Sequence, residues 1–177
     1  MKITIGGMPG SGKSVVGKFL AGKLGYQFYS IGSIRRDLAA KRGMTINEFN
    51  QLNENTDQEV DDFQKRLGAE KDKFVIEGRL SYHFIPDSFK IYFDCDLRVA
   101  AERIFKTSRT TEDKGDSPEE TYDKLRERVD NDCKRYGQYY NLNCYDTAQF
   151  DYVIDTTNLS LEEVKKRVLG IVKKKLC

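Results

Sequence analysis

Residues 7–14 read Gly7-Met8-Pro9-Gly10-Ser11-Gly12-Lys13-Ser14 and fit G-x-x-x-x-G-K-[ST] at every fixed position. Such a run is built to hold phosphate. Its glycines allow turns with φ > 0, so consecutive backbone N–H groups aim at one anion. A helix that starts at Lys13 turns its positive end to the same phosphates. Lys13 can then bridge β- and γ-phosphates, and the Ser14 hydroxyl can ligate Mg²⁺. The pattern follows a β-branched segment and precedes a helical one, which is the context this chemistry requires. A bound nucleoside triphosphate is therefore expected.

The arginines suggest what receives the phosphoryl group. A kinase acting on a hydroxyl usually places a carboxylate beside it to take the proton. The natural position is the end of the second strand, but Phe28-Tyr29-Ser30-Ile31-Gly32-Ser33 holds no acid, and Asp37 is the first carboxylate beyond it. An acceptor that is itself a phosphate is already anionic and instead needs arginines to hold like charges together. Arg36 opens the helix after the second strand, and Arg79 follows the third in Phe74-Val75-Ile76-Glu77-Gly78-Arg79. Arg128, Asp132 and Arg135 recur at helical spacing beside an apolar stripe. Arg35, Arg98 and Arg126 read as ordinary surface or ion-paired arginines, and an Arg128–Asp132 i,i+4 pair is the plain alternative for that stripe.

The elements that must position these groups alternate. Lys2–Ile5, Gln27–Tyr29, Lys73–Glu77, Phe89–Asp94 and Asp151–Asp155 read as five strands. Helices are expected from Lys13 to Leu24 with Gly25 as the stop, from about Gly32 to Arg42, from Thr45, from Thr56, from about Asp96 to Lys106, from Ser117 and from Ser160. Thr45 with Glu48, Thr56 with Glu59, Ser117 with Glu120 and Ser160 with Glu163 have capping-box spacing. The helix after Ser117 carries Tyr122, Leu125, Val129, Cys133, Tyr136 and Tyr140 on one face; the last carries Leu161, Val164, Val168 and Ile171. Strands alternating with helices imply an α/β fold whose parallel sheet is covered on both faces. Thr107–Asp116 has no large apolar residue and reads as a loop.

Composition removes other classes. The 177 residues carry 30 basic and 28 acidic groups, a net charge of +2 that lacks the basic excess of a nucleic-acid binder. No apolar run approaches the ~20 residues of a membrane helix. The chain starts in a strand-like segment with no signal-peptide pattern, so a cytoplasmic location is expected. His83 is the only histidine, which disfavours histidine triads and metal sites, and four scattered cysteines suit free thiols. Neither the N-K-x-D nor the D-x-x-G string of switch GTPases occurs.

Over nearly its whole length the chain resembles the nucleoside monophosphate kinases, and within them the cytidylate kinases. Ser30-Ile31-Gly32-Ser33-Ile34-Arg35-Arg36 resembles the family's S-x-G-x-x-x-R, Glu77-Gly78-Arg79 its acid-Gly-Arg, and Arg128-x-x-x-Asp132-x-x-Arg135 its R-x-x-x-D-x-x-R. Pro86-Asp87 with Lys90-Ile91-Tyr92-Phe93-Asp94, and Asp155-Thr156-Thr157-Asn158-Leu159-Ser160, are similar to two further family segments. The absence of a long insertion between Thr45 and Glu70 is similar to the short form typical of archaea. Departures are Lys13-Ser14 where that form usually ends the loop in Thr-Thr, and Ser33 in place of an acid.

The resemblance implies a three-layer P-loop NTPase fold with a five-stranded parallel sheet, spanning 1–177 as one kinase domain. The core would be 1–30, 71–106 and 142–177, the monophosphate-binding region 31–70, and a short lid about 107–117 would lead into a helix over 118–141. It implies transfer of the γ-phosphoryl group of ATP to CMP, and also dCMP, with Mg²⁺. Gly7, Met8, Pro9, Gly10, Ser11, Gly12, Lys13, Ser14 and Val15 would hold ATP, with Arg103 and Thr157 near adenine. Arg36, Asp61, Gln64, Gly78, Arg79, Arg128, Asp132 and Arg135 would hold CMP, the acid and one arginine of the last motif reading cytosine. Lys13, Arg79, Arg128 and Arg135 would be catalytic. Ser14 would meet the metal directly and Glu77 through water, and Lys106 and Arg109 are the lid's basic groups. The expected assembly is a monomer, with a homodimer left open, and neither nucleic acid nor membrane as partner. Two alternatives stand beside this reading: a kinase for another small molecule such as AMP or UMP, and a nucleotide-binding ATPase or regulator without an acceptor.

Overall fold

The computed structural model describes residues 1–50, 52, 57–107 and 113–176. Its strands are β1 (Lys2–Gly7), β2 (Gln27–Ser30), β3 (Phe74–Glu77), β4 (Phe89–Asp94) and β5 (Tyr152–Asp155). Its helices are α1 (Lys13–Leu24), α2 (Ile31–Lys41), α3 (Ile46–Asn50), α4 (Gln58–Glu70), α5 (Ser81–Phe84), α6 (Leu97–Lys106), α7 (Pro118–Tyr140) and α8 (Leu161–Leu176). The strands form one parallel sheet in the order β2-β3-β1-β4-β5.

Side chains alternate across this sheet, and both faces are covered. Ile3, Ile5, Val75, Ile91, Phe93 and Ile154 pack with Val16 and Leu20 of α1 and with Val164, Val168 and Val172 of α8. Phe74 and Ile76 point the other way, onto Ile31 of α2 and Val60 and Leu67 of α4. Successive residues of β3 thus serve opposite cores, as the period of two requires. The chain runs from β1 towards β2 on one side and later to β4 on the other. The loop after β1 therefore leaves the carboxyl edge at the topological switch point, where open α/β sheets bind ligands.

The expected strands and main helices are present, with instructive shifts. β1 runs through Gly6 and Gly7 rather than stopping at Ile5, because both glycines pair with Tyr92 and Phe93 of β4. Lys73 lies before β3, since its φ of 57° breaks the extended run. Asp151 lies before β5 and instead accepts the Lys90 N–H through its side chain at 2.8 Å. Thr45/Glu48 and Ser160/Glu163 form reciprocal capping boxes. At α7, Ser117 accepts from Glu120 N–H, but Glu120 reaches one residue further back, to the Asp116 N–H at 2.7 Å. Thr56, the expected cap before α4, lies outside the described residues. The short α5 and a 3₁₀ turn at Thr147–Gln149 were not foreseen, being too brief to show a periodicity.

Gly7 is where backbone geometry is most constrained. Its φ is 130°, and a Cβ there would lie 2.1 Å from the Phe93 carbonyl oxygen. Gly7→Ala should therefore cost at least about 3 kcal/mol, from strain plus separation of β1 from β4. Urea denaturation followed by far-UV circular dichroism measures this; a loss under about 1 kcal/mol would contradict the close approach.

Candidate active site

The loop from Gly7 to Ser14 closes on itself at the amino end of α1. Met8 N–H donates to Phe93 O at 2.9 Å, which ties the loop to the end of β4. Gly10 and Gly12 adopt φ of 73° and 87°, turning the loop so that α1 begins at Lys13. The Lys13 ammonium donates to the Met8 carbonyl and lies 3.4 Å from Ser11 Oγ. Burial, and then the neighbouring Arg79 charge, push its pKa well below that of an ordinary lysine. An anion in the loop would supply the missing counter-charge. Val15 is exposed one residue on.

Beside the loop, Ser14 Oγ and Ser30 Oγ each donate to Glu77 Oε1 at 2.6 Å. The three residues come from α1 and the carboxyl ends of β2 and β3, with Ser30 and Glu77 in direct register. Ser30 also caps α2, accepting the Ser33 N–H at 3.3 Å. Hydroxyl and carboxylate oxygens beside a phosphate loop are hard donors suited to Mg²⁺, which keeps several waters and takes few protein ligands.

The centre of the cleft is a buried ion-pair cluster. Arg79 Nε donates to Asp132 Oδ2 at 2.9 Å, and Arg79 Nη1 donates to Gly7 O at 3.0 Å. Arg79 Nη2 is buried and has no hydrogen-bond partner among the described residues. Tyr145 Oη donates to Asp132 Oδ2 at 2.9 Å, with the Arg79 guanidinium 5.5 Å from its ring centre. Arg135 Nη2 reaches Asp132 Oδ1 at 3.3 Å and Tyr136 Oη at 2.8 Å. Burial opposes ionisation of Asp132, but Arg79, Arg128 and Arg135 outweigh it and hold its carboxyl below the usual range. Burial likewise opposes the Arg79 charge, and Tyr145 and Asp132 more than offset it. Arg128 pairs with Asp113 at the end of the lid segment rather than forming a hydrogen-bonded i,i+4 pair with Asp132.

Helix α4 meets α7 through Asp61. Tyr140 Oη donates to Asp61, whose pKa is raised by burial. Gln64 Oε1 accepts from Ser81 Oγ at 2.7 Å. Gly78 admits no side chain, since a Cβ would lie 2.4 Å from Ser81 Oγ and 2.8 Å from Ile31. Arg36 is exposed on the first turns of α2 and lies over Gly32. Arg35, expected at the surface, is instead buried and paired with Asp57. Its position one residue before Arg36 turns it inward, onto the ring of Phe49. On the other side of the phosphate loop, Arg103 Nη2 donates to the carbonyls of Thr156, Thr157 and Leu159 at 2.7, 3.1 and 3.2 Å. Thr157 Oγ1 accepts from Asp96 N–H at 2.9 Å. Arg103, on α6, thus holds the loop after β5 that carries Thr157. Lys106 lies at the end of α6, paired with Glu102. Residues 108–112 of the expected lid, Arg109 among them, lie outside the described residues.

Sequence reasoning passed over Ser30, Asp57, Asp113, Tyr140 and Tyr145. Ser30 was legible as a helix cap at a strand's carboxyl end, and Asp57 stands four residues before the expected contact Asp61. Tyr140 was assigned only to an apolar stripe. Tyr145 had no local signal, because its partners are 13 residues and further away.

A parallel five-stranded sheet with a Gly7–Ser14 phosphate loop at its switch point defines a P-loop kinase architecture. Solved structures share it: an uncharacterized protein from Eubacterium ventriosum (TM-score 0.72, 17% identity, 98% of each chain) and shikimate kinase from Bacteroides thetaiotaomicron (TM-score 0.68, 15% identity, 99% of this chain and 98% of that one). At these identities the likeness concerns the fold. The model of the cytidylate kinase-like family matches residues 2–158, and the chain belongs to that family. Similar proteins include the cytidylate kinases of Methanocella arvoryzae (38% identical over 175 residues, 97% of both chains) and Archaeoglobus fulgidus (36% over 179 residues, 99% of this chain and 96% of that one).

Asp132 links the site to stability. Its folded-state pKa lies below the unfolded value of about 3.9, so its contribution is complete above that pH and is lost as pH falls through the folded value. Asp132→Asn should cost about 3–5 kcal/mol at neutral pH, by leaving arginines without their buried counter-charge. It should also flatten the decline in stability below about pH 4. Chemical denaturation of both proteins from pH 3 to 7 gives both quantities; parallel pH profiles would exclude the linkage.

Proposed function

We propose that the protein transfers the γ-phosphoryl group of ATP to the 5′-phosphate of CMP, with dCMP as a second acceptor, giving ADP and the cytidine diphosphate. The observation that carries this reading is the buried, unpartnered Nη2 of Arg79 beside the phosphate loop. An unmatched guanidinium N–H in a buried site costs about 1–3 kcal/mol, and a phosphate oxygen would satisfy it. A nucleotide-binding regulator has no need of this second anion site. Membership of the cytidylate kinase-like family, with relatives that bear that name, supports CMP over AMP or UMP.

The loop amides and Lys13 hold the β- and γ-phosphates of ATP, and Arg103 and Thr157 flank adenine. Arg36 and Arg79 hold the acceptor phosphate. An acceptor oxygen attacks the γ-phosphorus in line, the bond to the β,γ-bridging oxygen breaks, and ADP leaves with that electron pair. The acceptor is already anionic, so no general base is required. Arg128 and Arg135 meet the charge that spreads over the transferring group, and catalysis is positioning plus fixed positive charge. Bound Mg²⁺ would neutralise the β- and γ-phosphate oxygens, held by Ser14 Oγ with Glu77 on its water shell. Asp132 acts on CMP through Arg79 and Arg135, since both its oxygens already accept from them. Asp61 can accept the cytosine amino group, where uracil presents a carbonyl; Gln64 and Gly78 complete that wall. Residues 31–70 form the acceptor region and about 107–117 the lid of a single kinase domain.

Purified protein with ATP and Mg²⁺ should convert CMP and dCMP to diphosphates much faster than UMP, AMP or GMP. Turnover of AMP alone would move the substrate and keep the mechanism; ATP binding without any acceptor turnover would refute the proposal. Arg79→Ala should lower kcat/KM for CMP by roughly 10³-fold or more, by analogy with other transition-state arginines. Its ATP affinity, measured by calorimetry, should stay within a few-fold of wild type, and full activity in this variant would remove Arg79 from the mechanism.

A further inference from the structure

Arg35 has no part in the reaction as described, yet it is 6% exposed and its guanidinium lies on Asp57. Asp57 is a shared carboxylate. Its Oδ1 takes Arg35 Nη1, and its Oδ2 faces Arg135 Nε at 3.7 Å. Arg135 is thus flanked by two acids, Asp132 on its own helix and Asp57 at the start of α4. Arg35 comes from α2, Asp57 from the turn before α4, and Arg135 from α7. Three elements of the acceptor cleft therefore meet at one carboxylate.

The distances matter. Arg35 and Asp57 are in direct contact, whereas 3.7 Å for Arg135 is an ion pair beyond hydrogen-bond length. Among the described residues, Arg35 and Arg135 are the cations paired with Asp57, and a buried carboxylate that loses the first draws on the second, because leaving it short of charge costs several kcal/mol. We infer that Arg35 is a positioning residue for the acceptor phosphate: by neutralising Asp57 it keeps that carboxylate from pulling Arg135 away from the phosphate into a tight ion pair. Burial, and then repulsion from Arg135, bring the Arg35 pKa down to about 10, as the proximity of the two guanidinium groups requires. The displacement of Arg135 needed to reach hydrogen-bond contact is under about 1 Å, and misplacement on that scale can cost on the order of 10²-fold in rate.

The inference rests on the proposed acceptor reaction and makes a prediction that a simple staple between α2 and α4 does not. Arg35→Met, Arg35→Lys, Asp57→Asn and the Arg35→Met/Asp57→Asn double variant are compared as full-length proteins. Arg35→Met should lower kcat/KM for CMP by roughly 10- to 100-fold, with KM for ATP within about two-fold of wild type. Arg35→Lys should recover most of this loss. The double variant should be faster than Arg35→Met, because removing the carboxylate removes the pull on Arg135. A structural staple, or an Arg35 that touched phosphate itself, gives a double variant no better than the single one, and that result overturns the inference.

A second readout needs no turnover. The Arg135 Nε–H resonance, followed by ¹⁵N NMR without substrate, should move downfield and exchange more slowly in Arg35→Met, and return in the double variant. An unmoved resonance overturns the inference whether or not the wild type acts on CMP, while failure of the wild type on every acceptor counts against the reaction alone. Should Arg35→Met not fold, Arg35→Gln, which keeps a donor towards Asp57 without the charge, carries the same comparison.

Discussion

Two phosphate groups brought into one cleft repel each other, and the chain must set fixed positive charge between them without leaving that charge unmatched while the cleft awaits substrate. The Asp132 carboxylate is the solution reached here. One oxygen takes Arg79 Nε and Tyr145 Oη, the other takes Arg135 Nη2. Arg79 is further held by the Gly7 carbonyl, so this arginine and the phosphate loop are positioned as one unit. Reorganisation on binding is then small, and that is where preorganised electrostatics gain their advantage.

Such a cluster is a poor way to stabilise a fold, since the desolvation of each buried ion largely cancels the attraction between them. Stability has to come from elsewhere, and the two apolar layers flanking the sheet supply it. Helix α7 connects these tasks. Leu125 packs against Ala100 and Ala101 of α6, and Tyr136 lies in the cluster around Tyr82 and Cys144. From Arg128 to Tyr140 it spans roughly 18 Å, enough to reach from Asp113, through Asp132, to Asp61 of α4. A single helix thus fixes the distance between these three carboxylates.

Much of this was legible in the residues, and the division between what was and was not has a physical basis. Five strands, the main helices and two reciprocal capping boxes follow from periodicity and from hydrogen bonds within a few residues of each other. The phosphate loop is legible because its contacts are largely its own backbone. Arg79, Arg128, Asp132 and Arg135 were legible as positions but not as partners. Arg128 turned to Asp113, 15 residues away, rather than closing a hydrogen-bonded i,i+4 pair with Asp132. Arg35 looked like a surface arginine because its ion-pair partner, Asp57, lies 22 residues away at the start of α4. Tyr145 acquires its role from Asp132 and Arg79, neither of which lies in its own segment. Local rules recover groups that act through their own turn, and miss those whose meaning is set by a partner on another element.

The architecture itself does not select the acceptor, since the same sheet and loop can carry unrelated chemistry and function resides in the side chains at the strand ends. In this chain the carboxyl end of β2 carries Ser30, which donates to Glu77 and caps α2. A hydroxyl acceptor placed there would find the nearest carboxylate already accepting two hydroxyl protons, from Ser14 and Ser30, on one oxygen. That carboxylate is oriented towards the phosphate loop rather than towards an incoming alcohol. Arg79 meanwhile offers a buried N–H with nothing to bond. A carboxylate engaged by two hydroxyls and an unmet guanidinium donor are the wrong pair for removing a proton and the right pair for receiving a phosphate. The acceptor is thus decided by which unsatisfied group the fold leaves at the edge of the sheet.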